Sequence, residues 1–117
     1  MKRLLLALLF LLPLPAAALT PAAQEWMAIS AKLEPVQCEK RQLRRQMAMA
    51  QAERRDEDLK KLGARAAALD RDSETARLEK RLAVLESHIL DGQGRPRHPE
   101  DLEAISLQQR QAFYRCE

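Results

Sequence analysis

The two cysteines of this 117-residue chain, Cys38 and Cys116, enclose nearly all of its helix-forming sequence. They lie too far apart to form a Cys-x-x-Cys redox motif, and such a pair in an exported protein is typical of a structural disulfide. A bond within the chain requires the helices between the cysteines to fold back on themselves. A bond between two chains, giving a homodimer, is the alternative that the sequence leaves open.

The first 18 residues have the pattern of a secretory signal peptide. Two basic residues precede an unbroken apolar run over residues 4–12, and three alanines predict cleavage between Ala18 and Leu19. The apolar run is about half of the ~20 residues that a membrane-spanning helix needs. We therefore expect a periplasmic or secreted protein that has no membrane span once residues 1–18 are removed.

Removal of the signal peptide also changes how the net charge is interpreted. The full chain has 20 Lys+Arg against 17 Asp+Glu, a formal charge of +3. Lys2 and Arg3 leave with the signal peptide, so 18 basic residues then oppose 17 acidic ones. Because this mature chain lacks the basic excess of a nucleic-acid-binding protein, we expect no nucleic acid as its main partner.

The mature sequence begins with the signals of a short helix. Thr20 can act as an N-cap, and Pro21 suits the first helical position. Pro35 is expected to end this helix, because a proline inside a helix removes a hydrogen-bond donor. We therefore predict a short N-terminal helix over residues 19–34 and a helical hairpin domain over residues 35–117. The apolar face of the short helix consists of Trp26, Ile29 and Leu33.

Two apolar stripes follow, each with the three- and four-residue spacing of a helix face. The first consists of Leu59, Leu62, Ala66 and Leu69, and the second of Leu78, Leu82, Leu85 and Ile89. Extended backward, the first stripe meets Arg41, Arg45 and Arg55. These charges make the early part of the stripe a weak coiled-coil seam.

The spacing between the two stripes predicts a break in the chain. Leu69 and Leu78 are nine residues apart, which at about 100° per residue places the stripes on opposite helix faces. We therefore predict a turn at residues 70–73, with Asp72 or Ser73 capping the next helix. A continuous helix with a phase shift is the alternative.

The clearest loop covers residues 92–98. Gly92 suits a left-handed helix end, and Pro99 suits the first position of a last helix. The arm from Cys38 to the predicted turn is about 48 Å long, and the two returning helices together are about 52 Å. If the returning helices run end to end, Cys116 arrives close to Cys38. The predicted fold is all-α: an elongated αα-hairpin or coiled coil with a short N-terminal helix and a second arm broken by a loop.

No pattern in the sequence predicts catalysis, and we expect neither an enzyme nor a bound cofactor. Met47 and Met49 are two residues apart, and His88 and His98 are ten residues apart. Neither spacing favours a metal site, because residues two apart on a helix point to different sides and the histidines lack a ligand spacing.

Two segments at the ends of the mature chain share a pattern: Leu19-Thr20-Pro21-Ala22-Ala23-Gln24 and Ile105-Ser106-Leu107-Gln108-Gln109. They resemble the two Leu-Thr-x-x-Gln motifs of the Spy-type periplasmic chaperones, a family of small exported helical proteins with metal-resistance relatives. The first segment has one extra residue before its glutamine, and the second has similar residues in place of Leu and Thr. The stretch from Cys38 to about Asp72 is similar to the YqjC-like small periplasmic proteins, whose second cysteine would fall near Asp72.

Helices of mixed charge with modest apolar stripes predict a non-enzymatic binding protein of the cell envelope with a protein partner or client. The resemblance to the Spy-type family implies a chaperone-like role. One alternative is a periplasmic metal-binding or sensor protein that uses Met47, Met49, His88 or His98. Another is a structural coiled-coil component of an envelope complex.

Overall fold

The computed structural model describes residues 19–116, and within them the fold is all-α, as predicted. Four helices follow one another: α1 (Pro21–Ala52), α2 (Asp56–Arg71), α3 (Ser73–Ile89) and α4 (Pro99–Arg115). The only β-type pairing among the described residues is an isolated bridge between Leu90 and Pro96. The predicted signal peptide, including Ala18 at the cleavage site, lies outside the described residues.

Helix α1 is one long helix of 32 residues, so the predicted short helix over residues 19–34 and the domain boundary at residue 35 are wrong. Its start is as expected: Thr20 is the N-cap, and its side chain accepts a hydrogen bond from the backbone N–H of Ala23. Pro35 lies exposed inside the helix, where it removes one backbone donor. The helix continues because Leu33 before the proline and Leu43 after it are both buried.

The hairpin turn lies at residues 53–55, so the predicted hairpin turn at residues 70–73 is wrong. The backbone N–H of Arg54 donates to the carbonyl of Gln51, and that of Arg55 donates to the carbonyl of Ala50. These are the two hydrogen bonds of a Schellman motif, which needs a left-handed residue just after the helix. Arg54 adopts that conformation with φ 56°, and the sequence offered no glycine to mark it.

A break is present at Asp72, but it divides the second arm of the hairpin and does not reverse it. Asp72 caps α3 as predicted: its Oδ2 accepts hydrogen bonds from the Thr75 backbone N–H at 2.9 Å and the Thr75 hydroxyl at 2.8 Å. Both α2 and α3 pack against α1. On one straight helix the two apolar stripes would lie on opposite faces. Because Asp72 is extended and separates α2 from α3, both stripes can face α1.

The connection between α3 and α4 covers residues 90–98 and contains the predicted loop. Asp91 organises it, because its Oδ1 accepts from the backbone N–H groups of Gln93 and Arg95 at 2.8 and 2.9 Å. The left-handed glycine is Gly94, with φ 77°, and not Gly92 as expected. The loop reverses the chain, so α4 runs parallel to α1.

The buried apolar side chains are concentrated where three helices meet. One cluster consists of Ile29, Leu33, Leu78 and Leu85, and the other of Ala23, Ile89 and Ile105. Trp26 of α1 packs against both clusters. We call this region, formed by residues 20–38, α3 and α4, the three-helix end. The remainder, residues 39–52 and α2, is the two-helix tip.

Candidate binding groove

Three hydrogen-bonded contacts set a regular register between α1 and α4. Asp101 accepts from Thr20, Gln108 Nε2 donates to the Met27 carbonyl at 2.8 Å, and Arg115 donates to Glu34 at 2.9 and 3.0 Å. Each contact joins residues 81 positions apart, and successive contacts are seven residues apart on both helices. A seven-residue repeat with constant offset is the register of a parallel coiled-coil pair.

Asp101 anchors the first of these contacts deep in the protein, with only 1% of the residue exposed. Its Oδ1 accepts from the Thr20 backbone N–H at 3.1 Å, and its Oδ2 accepts from the Thr20 hydroxyl. A buried carboxylate is tolerated only where it is well hydrogen-bonded. The contact therefore ties the start of α4 to the start of α1.

A disulfide joins α1 to the end of α4 at the other end of this series of contacts. Cys38 and Cys116 form a disulfide within the chain, with their Cα atoms 5.5 Å apart and a separation of 78 positions in sequence. The expected path to this pair, with the two returning helices end to end, is wrong. Cys116 reaches Cys38 because α4 starts beside Thr20 and runs parallel to α1.

A groove of about 400 Å³ runs between α1 and α4 beside the disulfide. Its lining residues from α1 are Ser30, Glu34, Gln37, Lys40, Arg41 and Arg44, and those from α4 are Gln108, Gln109, Ala112 and Phe113. A smaller continuation of about 280 Å³ is lined by Arg41, Arg44, Arg45, Phe113 and Cys116. We call these together the α1–α4 groove. Its lining mixes amide, aromatic and cationic side chains.

The aromatic side chains of α4 lie at the edge of this groove and are open to solvent. Phe113 is 59% exposed and Tyr114 is 75% exposed. Their rings meet edge to face with centroids 5.8 Å apart. The guanidinium carbon of Arg41 lies 5.2 Å from the centre of the Phe113 ring, a cation–π distance. Exposed aromatic groups beside arginine are characteristic of protein-binding surfaces.

The acidic and lysine groups of the groove are already engaged in ion pairs. The hydrogen bonds from Arg115 lower the pKa of Glu34, and the nearby charges of Arg115 and Arg41 act in the same direction. Lys40 lies 3.0 Å from Asp70 and 3.2 Å from Glu79, and these contacts raise its pKa, that with Asp70 contributing most. The groove therefore has no free carboxylate among the described residues that could neutralise further cations.

Three arginines of the groove form no ion pair within the described part of the chain: Arg41, Arg44 and Arg45. In the sequence, Arg41 and Arg45 interrupt an apolar seam, and this interruption was the one sign of the arginine cluster. It gave no sign of the α4 side, Gln108 and Phe113, because only the register of α4 on α1 brings those residues to the arginines. The groove as a whole is therefore a positively charged surface with an aromatic edge.

The candidate metal ligands of the sequence are not brought together. Met47 and Met49 lie in the two-helix tip, whereas His88 lies in the last turn of α3 next to Ile89, at the opposite end of α1. Ala23, which packs against Ile89, is 24 residues from Met47, or about 36 Å along α1. Within residues 19–116, no group of three or more His, Cys, Asp or Glu side chains is arranged to hold a metal ion.

The two motif-like segments of the sequence meet at the three-helix end. Gln24 Nε2 donates to the Leu19 carbonyl at 2.9 Å, and Ile105 is buried in the cluster that contains Ala23. Comparison with known protein families, characterised proteins and solved structures finds no match for this chain. None of the four described helices is both long enough and apolar enough to cross a membrane.

Proposed function

We propose that this protein is a non-enzymatic, exported binding protein of the cell envelope that holds segments of partner polypeptides in the α1–α4 groove. The observation that carries the proposal is the exposed Phe113 ring beside arginines that form no ion pair within residues 19–116. Aromatic and arginine side chains are enriched where proteins bind each other. The glutamines of the groove add side chains that can both donate hydrogen bonds to a peptide backbone and accept them from it.

A chaperone-like role is the version of this function that we favour. The groove runs between two helices and is partly open to solvent, so it suits an extended segment better than a compact small molecule. The resemblance of the segments around Thr20 and Gln108 to the Spy-type motifs supports the same role. Such a protein would hold unfolded clients by many weak contacts and without chemical change.

Export is supported by two independent features of the chain. Residues 1–18 have the sequence pattern of a secretory signal peptide. Cys38 and Cys116 form a disulfide, a bond that persists in oxidising compartments such as the periplasm or the cell exterior. We therefore assign the mature protein to the periplasm or the extracellular medium.

A holdase assay tests the chaperone-like role. A reduced or heated client is followed by light scattering, with and without an equimolar amount of the protein. We expect the protein to suppress aggregation of the client, and the Phe113→Ala variant to suppress it less. The control is Val84→Ala, which removes an exposed apolar side chain of α3 outside the groove and should leave the suppression unchanged. No suppression by the unaltered protein at stoichiometric ratio would contradict the proposal.

A structural role in an envelope assembly is the second candidate. It is favoured by Leu102 and Leu107, two exposed apolar side chains of α4 that do not line the groove. Such side chains could pack against another helical protein or a second copy of the chain. Sedimentation of the purified protein tests self-association: a concentration-dependent dimer that Leu107→Gln abolishes supports it, and a monomer at all concentrations contradicts it.

A further inference from the structure

The three arginines of the groove, for which the described part of the chain provides no ion-pair partner, lie close together in the sequence. Arg41 lies three and four residues before Arg44 and Arg45, so all three charges occupy one stretch of α1. Like charges at these spacings repel each other. Elsewhere the arginines that contact other helices are paired with acids, as in Arg65–Glu39, Arg81–Glu25 and Arg115–Glu34. The groove thus holds positive charge that the described protein does not neutralise.

Two polar atoms in the same groove are buried and have no hydrogen-bond partner among residues 19–116: Arg41 Nε, a donor, and Gln108 Oε1, an acceptor. The orientation of the Gln108 amide follows from its Nε2, which donates to the Met27 carbonyl. A buried polar atom without a partner is unfavourable. A side-chain movement that accompanies ligand entry could satisfy both atoms.

The kind of ligand follows from the chemistry of these groups. A peptide backbone offers carbonyl acceptors for Arg41 and N–H donors for Gln108, whereas a phosphate group offers acceptors only. Carboxylates match the guanidinium groups of Arg44 and Arg45 in charge and in bidentate geometry. The Phe113 ring provides an apolar contact beside them.

We propose that the arginine end of the α1–α4 groove recognises acidic polypeptide segments, in which Asp or Glu residues lie next to apolar ones. The proposal rests on the function proposed above and specifies which segments the groove prefers. Arg44 and Arg45 bind the carboxylates, Arg41 and Gln108 bind the backbone, and Phe113 contacts an apolar side chain. Charge complementarity determines the preference, and it also speeds association at low salt.

The test measures binding of fluorescently labelled peptides by anisotropy. One peptide alternates acidic and leucine residues, and its matched partner has Asn and Gln in place of Asp and Glu. We expect the acidic peptide to bind about tenfold more tightly at low salt, and the difference to shrink as salt rises. Equal affinity for the two peptides would overturn the proposal.

Variants of equal charge assign the preference to the groove. Arg44→Gln with Arg45→Gln alters two exposed side chains, and addition of Arg41→Gln completes the set. The control is Lys80→Gln with Arg95→Gln and Arg97→Gln. It removes three positive charges, as many as the groove triple variant, but from α3 and the α3–α4 loop. We expect the groove variants to lose the acidic preference and the control to retain it. Equal losses in the groove triple and the control would overturn the proposal, and the double variant tests it even if the triple variant misfolds.

The same experiment distinguishes phosphate-containing ligands from the acidic peptide, and failure of this inference from failure of the proposed function. Tighter binding of phosphatidylglycerol vesicles or single-stranded DNA than of the acidic peptide would overturn the proposal, because the groove would then select phosphate. If the protein suppresses client aggregation but does not prefer the acidic peptide, the proposed function stands and this inference fails. If it binds neither client nor peptide, both fail.

Discussion

The three-helix end and the two-helix tip share α1 but differ in what holds α1 in place. At the three-helix end, α1 contacts α3 and α4, and two apolar clusters, the buried Asp101 and the disulfide lie within about five turns of α1. In the tip, α1 packs against α2, and at the base of the tip Lys40 pairs with Glu79 of α3 and Arg41 lies over Phe113 of α4. The buried apolar side chains of the tip are Leu43, Ala50 and Leu69. The ion pair between Arg65 and Glu39 joins the two tip helices at the surface.

This difference indicates that stability is concentrated at the three-helix end, where the α1–α4 groove begins. A pair of helices can bury only one face of each, whereas a third helix covers a second face of α1. Exposed ion pairs such as Arg65–Glu39 add little to stability. The groove begins where α4 adds the third helix, and its arginines, Arg41, Arg44 and Arg45, lie just beyond, at the base of the tip. The tip is the part expected to open first.

The largest expected effect comes from removing the disulfide. Replacement of both Cys38 and Cys116 by serine releases a loop closed across 78 residues, which we expect to lower the free energy of unfolding by about 4 kcal/mol. Urea denaturation of the variant and the oxidised protein measures the difference. A loss below about 1 kcal/mol would show that the bond does not constrain the unfolded chain.

Core truncations compare the two regions directly. Leu33→Ala, at a residue that is 1% exposed in the apolar cluster between α1 and α3, is expected to cost about 3–4 kcal/mol. Leu69→Ala, in the tip, is expected to cost about 2 kcal/mol, because fewer side chains surround the deleted methyl groups. Denaturation midpoints of the two variants give the comparison. Equal or reversed losses would contradict the assignment of the main core to the three-helix end.

A smaller effect is expected from the polar anchor of α4. Asp101→Ala leaves the Thr20 hydroxyl and backbone N–H without their buried acceptor, which should cost about 2 kcal/mol. The control is Glu103→Ala, at an exposed position of the same helix, with an expected change within about 0.5 kcal/mol. Thermal unfolding followed by circular dichroism measures both. Similar melting temperatures for the two variants would mean that Asp101 does not anchor α4.

The smallest effect is expected from acid pH. Hydrogen bonds from Thr75, chiefly its backbone N–H, lower the pKa of Asp72, and those from Arg81 lower the pKa of Glu25. A carboxylate whose pKa is lower in the folded state contributes stability above its unfolded pKa and loses it as the pH falls through the folded value. Melting temperature should therefore be steady near neutral pH and fall in acid. Asp72→Asn, which keeps a capping side chain but does not titrate, should reduce this dependence, and an unchanged acid profile would contradict it.

Local signals in the sequence predicted the elements better than the path between them. The caps at Thr20 and Asp72, the loop before Pro99 and the two apolar stripes all follow from interactions within a few residues, and these predictions are confirmed. The continuation of α1 through Pro35 depends on side chains buried by other helices. The rule that proline ends a helix considers only the neighbouring backbone and not the burial of side chains by other helices.

The turn at residues 53–55 was missed for a related reason. Arg54 adopts a left-handed conformation that glycine normally marks, and the only local sign was the acidic start of α2 at residues 56–58, which favours a helix N-terminus. With the turn misplaced, α4 was expected beyond α3 and not beside α1. The α1–α4 groove therefore could not be predicted, although the pairing of Cys38 with Cys116 was the favoured expectation.

Native-state hydrogen exchange followed by mass spectrometry tests the comparison between the two regions most directly. We expect amides of residues 21–38, α3 and α4 to exchange only through global unfolding, and those of α2 to exchange at least about tenfold faster through local opening of the tip. The ion pair of Arg65 with Glu39 should not abolish this difference. Protection of α2 equal to that of α3, or α4 exchanging before α2, would contradict the account.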